Sequence, residues 1–140
     1  MKQIKLLIIL LILVLSSCTK KDKLEDIFIT PKNQYWQYSN TKQYDLSCGS
    51  INFQFHKDGY SHRYDFSVKD GYTLLEGMAG DVLIRPQKWS VKNDSTFVWG
   101  HFTYKIEHID RTVIVLRFSL PNSPKGQQHW VRLLKVLGEK

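Results

Sequence analysis

The sequence predicts an all-β domain, an antiparallel up-and-down meander of about eight strands closing into a barrel, with a β-sandwich as the alternative. Three observations lead there. From Trp36 onward, short runs of β-branched and aromatic residues alternate polar with apolar. Turn chemistry separates those runs at hairpin spacing, and no stretch carries the period of a long helix. All 4 Trp, 7 Tyr and 7 Phe follow residue 27, enough to fill a core or line a cavity without many aliphatic helices.

The chain opens on a different pattern. Lys2 and Lys5 precede an unbroken apolar run from Leu6 to Leu15, closed by Ser16, Ser17 and Cys18. Ten apolar residues make a helix of about 15 Å, half of the hydrocarbon thickness of about 30 Å, so the run reads as a signal peptide and not as a span. Leu15-Ser16-Ser17-Cys18 is a lipobox. The expectation is cleavage before Cys18 and attachment of a diacylglycerol and an amide-linked chain such as palmitate. Two or more chains hold a protein at a bilayer where one binds only reversibly. This divides the chain into a signal peptide (1–17), a lipid-anchored tether (18–30) and a barrel domain (31–140), in the cell envelope and at the outer membrane. Within the tether, Lys20, Lys21 and Lys23 can touch anionic headgroups, and Leu24 to Ile29 can form a helical turn that Pro31 stops.

The strands follow in order. Trp36 opens the first. Ile51, Phe53 and Phe55 alternate with Asn52, Gln54 and His56, and Lys57-Asp58-Gly59 turns the chain. Tyr60, His62, Tyr64 and Phe66 then form an aromatic stripe alternating with Ser61, Arg63 and Asp65, until Asp70-Gly71 supplies a tight hairpin turn. Tyr72–Leu75 and Val82–Arg85 are strand pieces interrupted by Gly77 and Gly80, and Pro86 ends the second. Trp89 and Val91 run to Asn93-Asp94-Ser95, and Thr96–Trp99 returns. At Gly100 the apolar parity slips, from Phe97 and Trp99 to Phe102, Tyr104 and Ile106, which suggests a bulge. Thr112–Leu120 is apolar on both faces and should be little exposed. Pro121–Gly126 is a loop, and His129–Val136 closes the chain.

These pieces resemble the small lipocalin-like lipoproteins of Gram-negative bacteria. The matching stretches are Tyr35-Trp36, the hairpin from Phe53 to Gly59, Trp89 to Phe97, and Tyr104-Lys105-Ile106 running to Val113–Leu116, so the resemblance spans most of Tyr35–Val136. It implies a lipocalin-like barrel in which Trp36 packs at the closed end and Arg132, near the last strand, stacks across it. The family's glycine two residues before the tryptophan is Gln34 here.

Composition and motifs narrow the function. The formal net charge is +7, of which Lys2 and Lys5 supply two. The remainder is spread without a basic run, and an exported protein rarely meets nucleic acid, so a nucleic-acid role is rejected. Cys48 is left as an odd cysteine, read as a buried bystander. No Gly-x-Ser-x-Gly elbow and no phosphate loop occurs, so no catalytic residue and no cofactor is assigned and an enzyme is not expected. His56, His62, His101, His108 and His129 show no i, i+2 or i, i+4 pairing, so no metal site is expected either. Two functional readings remain. In one, a non-enzymatic barrel takes up a small apolar or amphipathic ligand, with Tyr60, His62, Tyr64, Phe66, Trp99 and Tyr104 as candidate lining. In the other, a packed-core lipoprotein binds an envelope protein through its surface.

Overall fold

The computed structural model describes residues 24–40, 51–124 and 126–138. Cys18 with the signal segment, and Cys48, lie outside them. The described residues form eleven strands: β1 (Gln34–Asn40), β2 (Ile51–Phe55), β3 (Tyr60–Ser67), β4 (Gly71–Leu74), β5 (Gly77–Ala79), β6 (Val82–Ile84), β7 (Gln87–Asn93), β8 (Thr96–Trp99), β9 (Phe102–Ile109), β10 (Val113–Phe118) and β11 (His129–Leu137). All ladder pairings are antiparallel.

The main sheet runs β2-β1-β11-β10-β9-β8-β7-β3-β4, and β2 also pairs with β3. That second pairing closes eight strands into a barrel and leaves β4 as an extra strand on β3. The closure decides for the barrel over the sandwich. It also removes most of the open edges that an exposed meander would carry. The seam β3–β7 is short, only Tyr60↔Lys88 and Ser61↔Gln87, because the rest of that edge of β3 pairs with β4. β5 and β6 form a separate two-stranded hairpin.

Residues 24–28 are helical and, with 29 and 30, belong to the barrel and not to the expected tether. Phe28 is fully buried and stacks on Phe97 at 4.2 Å, its carbonyl accepts the indole N–H of Trp36 at 2.8 Å, and Ile29 bridges Phe55. The phenyl ring plugs one barrel end, which removes about 1.5–3 kcal/mol worth of apolar side chain from water. Around it the core holds Trp36, Phe55, Trp89, Val91, Phe97, Ile106, Ile114, Leu116, Val131 and Leu133, with Trp99 and Tyr104 further up. An eight-stranded barrel has an interior that side chains can fill.

Two local expectations change. Gly100 is not a bulge: Trp99 pairs with Phe102, so Gly100 and His101 make a tight turn, with Gly100 at φ 59°. The parity slips because the chain reverses. The ladder irregularities fall elsewhere, at Val91/Asn93 and at Val115/Leu116. Gly77 opens a strand, β5, instead of only interrupting one. The strand β10 has no exposed residue, in agreement with its two apolar faces.

Candidate functional site

The six candidate lining residues separate into two groups on opposite sides of the barrel wall. Ser61 decides which side is which. Its hydroxyl accepts the buried Trp99 indole N–H at 2.8 Å and donates to the Gln87 carbonyl at 3.2 Å, so odd residues of β3 point inward. Tyr60, His62, Tyr64 and Phe66 therefore stand on the outer face, where Tyr60 and Phe66 are 36% and 40% exposed. Trp99 and Tyr104 are inside. Within the stripe Tyr64 is sheltered from without: Tyr35 lies edge-on to it at 5.0 Å and stacks face to face on Tyr72 of β4 at 4.0 Å. Alternation specified a shared face but not its side, since both faces of β3 mix polar with less polar groups.

At the barrel end opposite Phe28, where β1 ends and β2 and β11 begin, the inward side chains become polar. Tyr38 and Tyr104 sit there with Phe53, and the three surround Trp99, whose ring lies 4.7 Å from Phe53, 6.0 Å from Tyr38 and 6.3 Å from Tyr104. Asn40 donates to the Tyr38 hydroxyl at 3.0 Å. Burial raises the Tyr38 and Tyr104 phenols, Tyr104 to well above the ordinary phenol range with Tyr38 adding to it, so both remain hydrogen-bond donors at any physiological pH.

Arg63 is a cation at this end. It faces Phe53 across β2–β3, and Nη2 lies 3.6 Å from an Asp65 oxygen. Its Nε is buried and has no hydrogen-bond partner among the described residues. A donor left so costs about 1–3 kcal/mol, more for a charged group, and an incoming acceptor recovers that cost. Sequence reasoning missed Arg63 because it took the even residues of β3 as the lining. The inward parity of Phe53, carried across the hairpin register, is the signal that finds it.

The expected pair of Trp36 and Arg132 does not form. Trp36 is fully buried, but Arg132 sits between the buried Val131 and Leu133 and points to solvent. The cation over the indole is Lys135, whose Nζ lies 4.5 Å from the ring and whose Cα is the register partner of Trp36. Burial, with the charge of Arg111, lowers the Lys135 ammonium below its ordinary value. On the outer face, the β2–β3 hairpin brings His56 and His62 together, their ring centroids 4.6 Å apart.

No protein-family model, curated protein or solved structure matches this chain, so its chemistry is read from these residues alone.

Proposed function

We propose that this protein is an envelope lipoprotein of lipocalin-like type, anchored through lipid on Cys18, whose barrel binds a small amphipathic molecule at its polar end without transforming it. The buried Nε of Arg63, which has no hydrogen-bond partner among the described residues, carries the reading. A cation across the β2–β3 ladder from Phe53, at the barrel end that holds the Tyr38 and Tyr104 hydroxyls, suits an anionic head, such as a carboxylate. Trp99 and Phe53 give the adjoining chain an apolar wall. Barrel mouths are common ligand sites, and a few convergent polar groups on an apolar surface set the orientation there. Phe28, Trp36 and Phe97 fill the other end, so the ligand stays near the rim.

The test is titration of the purified protein with laurate and with dodecanol, followed by tryptophan fluorescence. Laurate should bind at least about tenfold more tightly, the value of one charge-assisted hydrogen bond, and Arg63→Met should erase that difference while the protein stays folded. Equal affinity for acid and alcohol in the wild type ends the proposal. Intact mass of the cellular product checks the anchor, which requires a chain starting at Cys18 with added hydrocarbon.

A second reading, surface binding of an envelope protein, is favoured by one observation. Among the described residues, six of the eleven exposed large hydrophobics, Phe66, Val68, Leu74, Met78, Val82 and Leu83, lie in the excursion from β3 to β6. Concentration of apolar surface on one projection is a mark of interaction sites. Cross-linking in cells from a probe at position 78 should then trap one protein, and a random set of neighbours counts against this reading.

A further inference from the structure

We propose that the outer face of the β2–β3 hairpin is a binding site for a divalent transition metal of the zinc class, with His56, Asp58 and His62 as ligands and Glu76 and Gln54 holding the imidazoles. Ligand atoms of the three residues lie within 4.8 Å of one another. Those on a tetrahedral zinc with bonds of about 2.0–2.1 Å sit about 3.3–3.4 Å apart. Asp58 is exposed and the two rings are half-buried, so modest side-chain rotation closes the difference.

The hydrogen bonds around the cluster leave one lone pair on each ring free for a metal. Gln54 is only 4% exposed, and its amide nitrogen is committed to the carbonyls of Lys32 at 2.9 Å and Gln34 at 3.1 Å. Its Oε1 therefore turns toward His56 Nε2, 3.4 Å away, and must accept. The proton of His56 is thereby placed on Nε2 and the lone pair on Nδ1. On His62, Nδ1 meets the Glu76 carboxylate, an acceptor, so its lone pair is on Nε2. A carboxylate or amide oxygen behind each imidazole is the support that metal-binding histidines use to fix tautomer and orientation. Asp58 spends Oδ1 on the Tyr60 amide at 2.9 Å and retains its second oxygen.

The fold assembles this set from three segments. The turn at 57–59 pairs Phe55 with Ser61 and Gln54 with His62, which makes His56 and His62 diagonal neighbours on one face despite their separation of six in sequence. Glu76 arrives just beyond β4. Two nitrogens and one oxygen suit zinc or another borderline metal better than calcium or magnesium, which take oxygen ligands. Three protein ligands leave a fourth position to solvent. Beside it, Asp58, Tyr60 and Lys88 border a surface depression of about 480 Å³, which gives a metal-bound water or an anion room to enter.

The experiment is a zinc titration of the purified full-length protein by calorimetry, with cobalt absorption to report the ligand field. One equivalent should bind, with cobalt bands of low coordination number. His62→Ala and His56→Ala should each weaken zinc at least about tenfold, and Glu76→Gln, which touches no metal, should do so by about 10–100-fold as a positioning residue. His108→Ala, a histidine paired to Asp110 elsewhere on the surface, should leave the affinity unchanged. Circular dichroism confirms that each variant is folded. Lack of zinc binding by the wild type, or binding that both histidine variants retain, overturns the proposal.

Discussion

Inside this barrel the aromatic groups are held by a small number of specific hydrogen bonds, and their polar atoms determine how they sit. Each of the three buried indoles has an acceptor: Trp36 uses the Phe28 carbonyl, Trp89 the carbonyls of His56 and Tyr60 at 3.2 Å, and Trp99 the Ser61 hydroxyl. The last rests on one side chain. Ser61→Ala removes the only acceptor among the described residues for a 4% exposed indole and should destabilise the fold by about 1–3 kcal/mol, measured by urea denaturation with tryptophan emission. A change smaller than about 0.5 kcal/mol would mean that the indole finds another acceptor. Ser61 was legible only as one polar member of an alternating strand, since sequence spacing does not reveal a partner 38 residues away.

Among the elements, the hairpins were the most legible and the outer additions the least. The Asp58-Gly59 and Asp70-Gly71 turns fall where their dipeptides place them, with Gly59 at φ 82° and Gly71 at φ 69°. A side chain at position 59 would have the Trp89 carbonyl 3.7 Å from its Cβ, so space allows it and only the backbone objects. Gly59→Ala should therefore cost about 1–2 kcal/mol, the penalty of the left-handed region for an L-residue. Thermal denaturation reads this, and a variant as stable as the parent would show that the turn relaxes to another type. The helical turn at 24–28 was foreseen as an element but not as a plug. Its five residues carry no long-range signal, and the burial of Phe28 follows from where β1, β2 and β8 place their rings.

The whole molecule closes through strands distant in sequence. β1 meets β11 over seven pairs, from Gln34↔Leu137 to Asn40↔Val131, and this long seam balances the two-pair seam of β3 and β7. Protonation of the folded molecule has a consequence for its stability at alkaline pH. Burial raises the phenols of Tyr35, Tyr38, Tyr64 and Tyr104 above their ordinary value of 10.0. The folded chain therefore keeps protons that the unfolded chain releases, and stability that is fully present below pH 10 falls as pH climbs past it. Lys135, lowered from 10.5, acts in the opposite sense just below that value, but one amine opposes four phenols. Urea midpoints should drop as pH rises from about 10 upward, with phenolate absorbance appearing together with unfolding; a flat midpoint would refute this linkage. Sequence alone determined that the chain is all-β, where most strands turn and which residues share a face, because those properties are local and follow from alternation and turn chemistry. Which face points inward, that Lys135 and not Arg132 covers Trp36, that Arg63 enters the polar end and that His56 and His62 converge were decided only by the tertiary structure. Register and closure are set by pairings between distant strands, and the free energy of burying one face against another appears only once those strands have met.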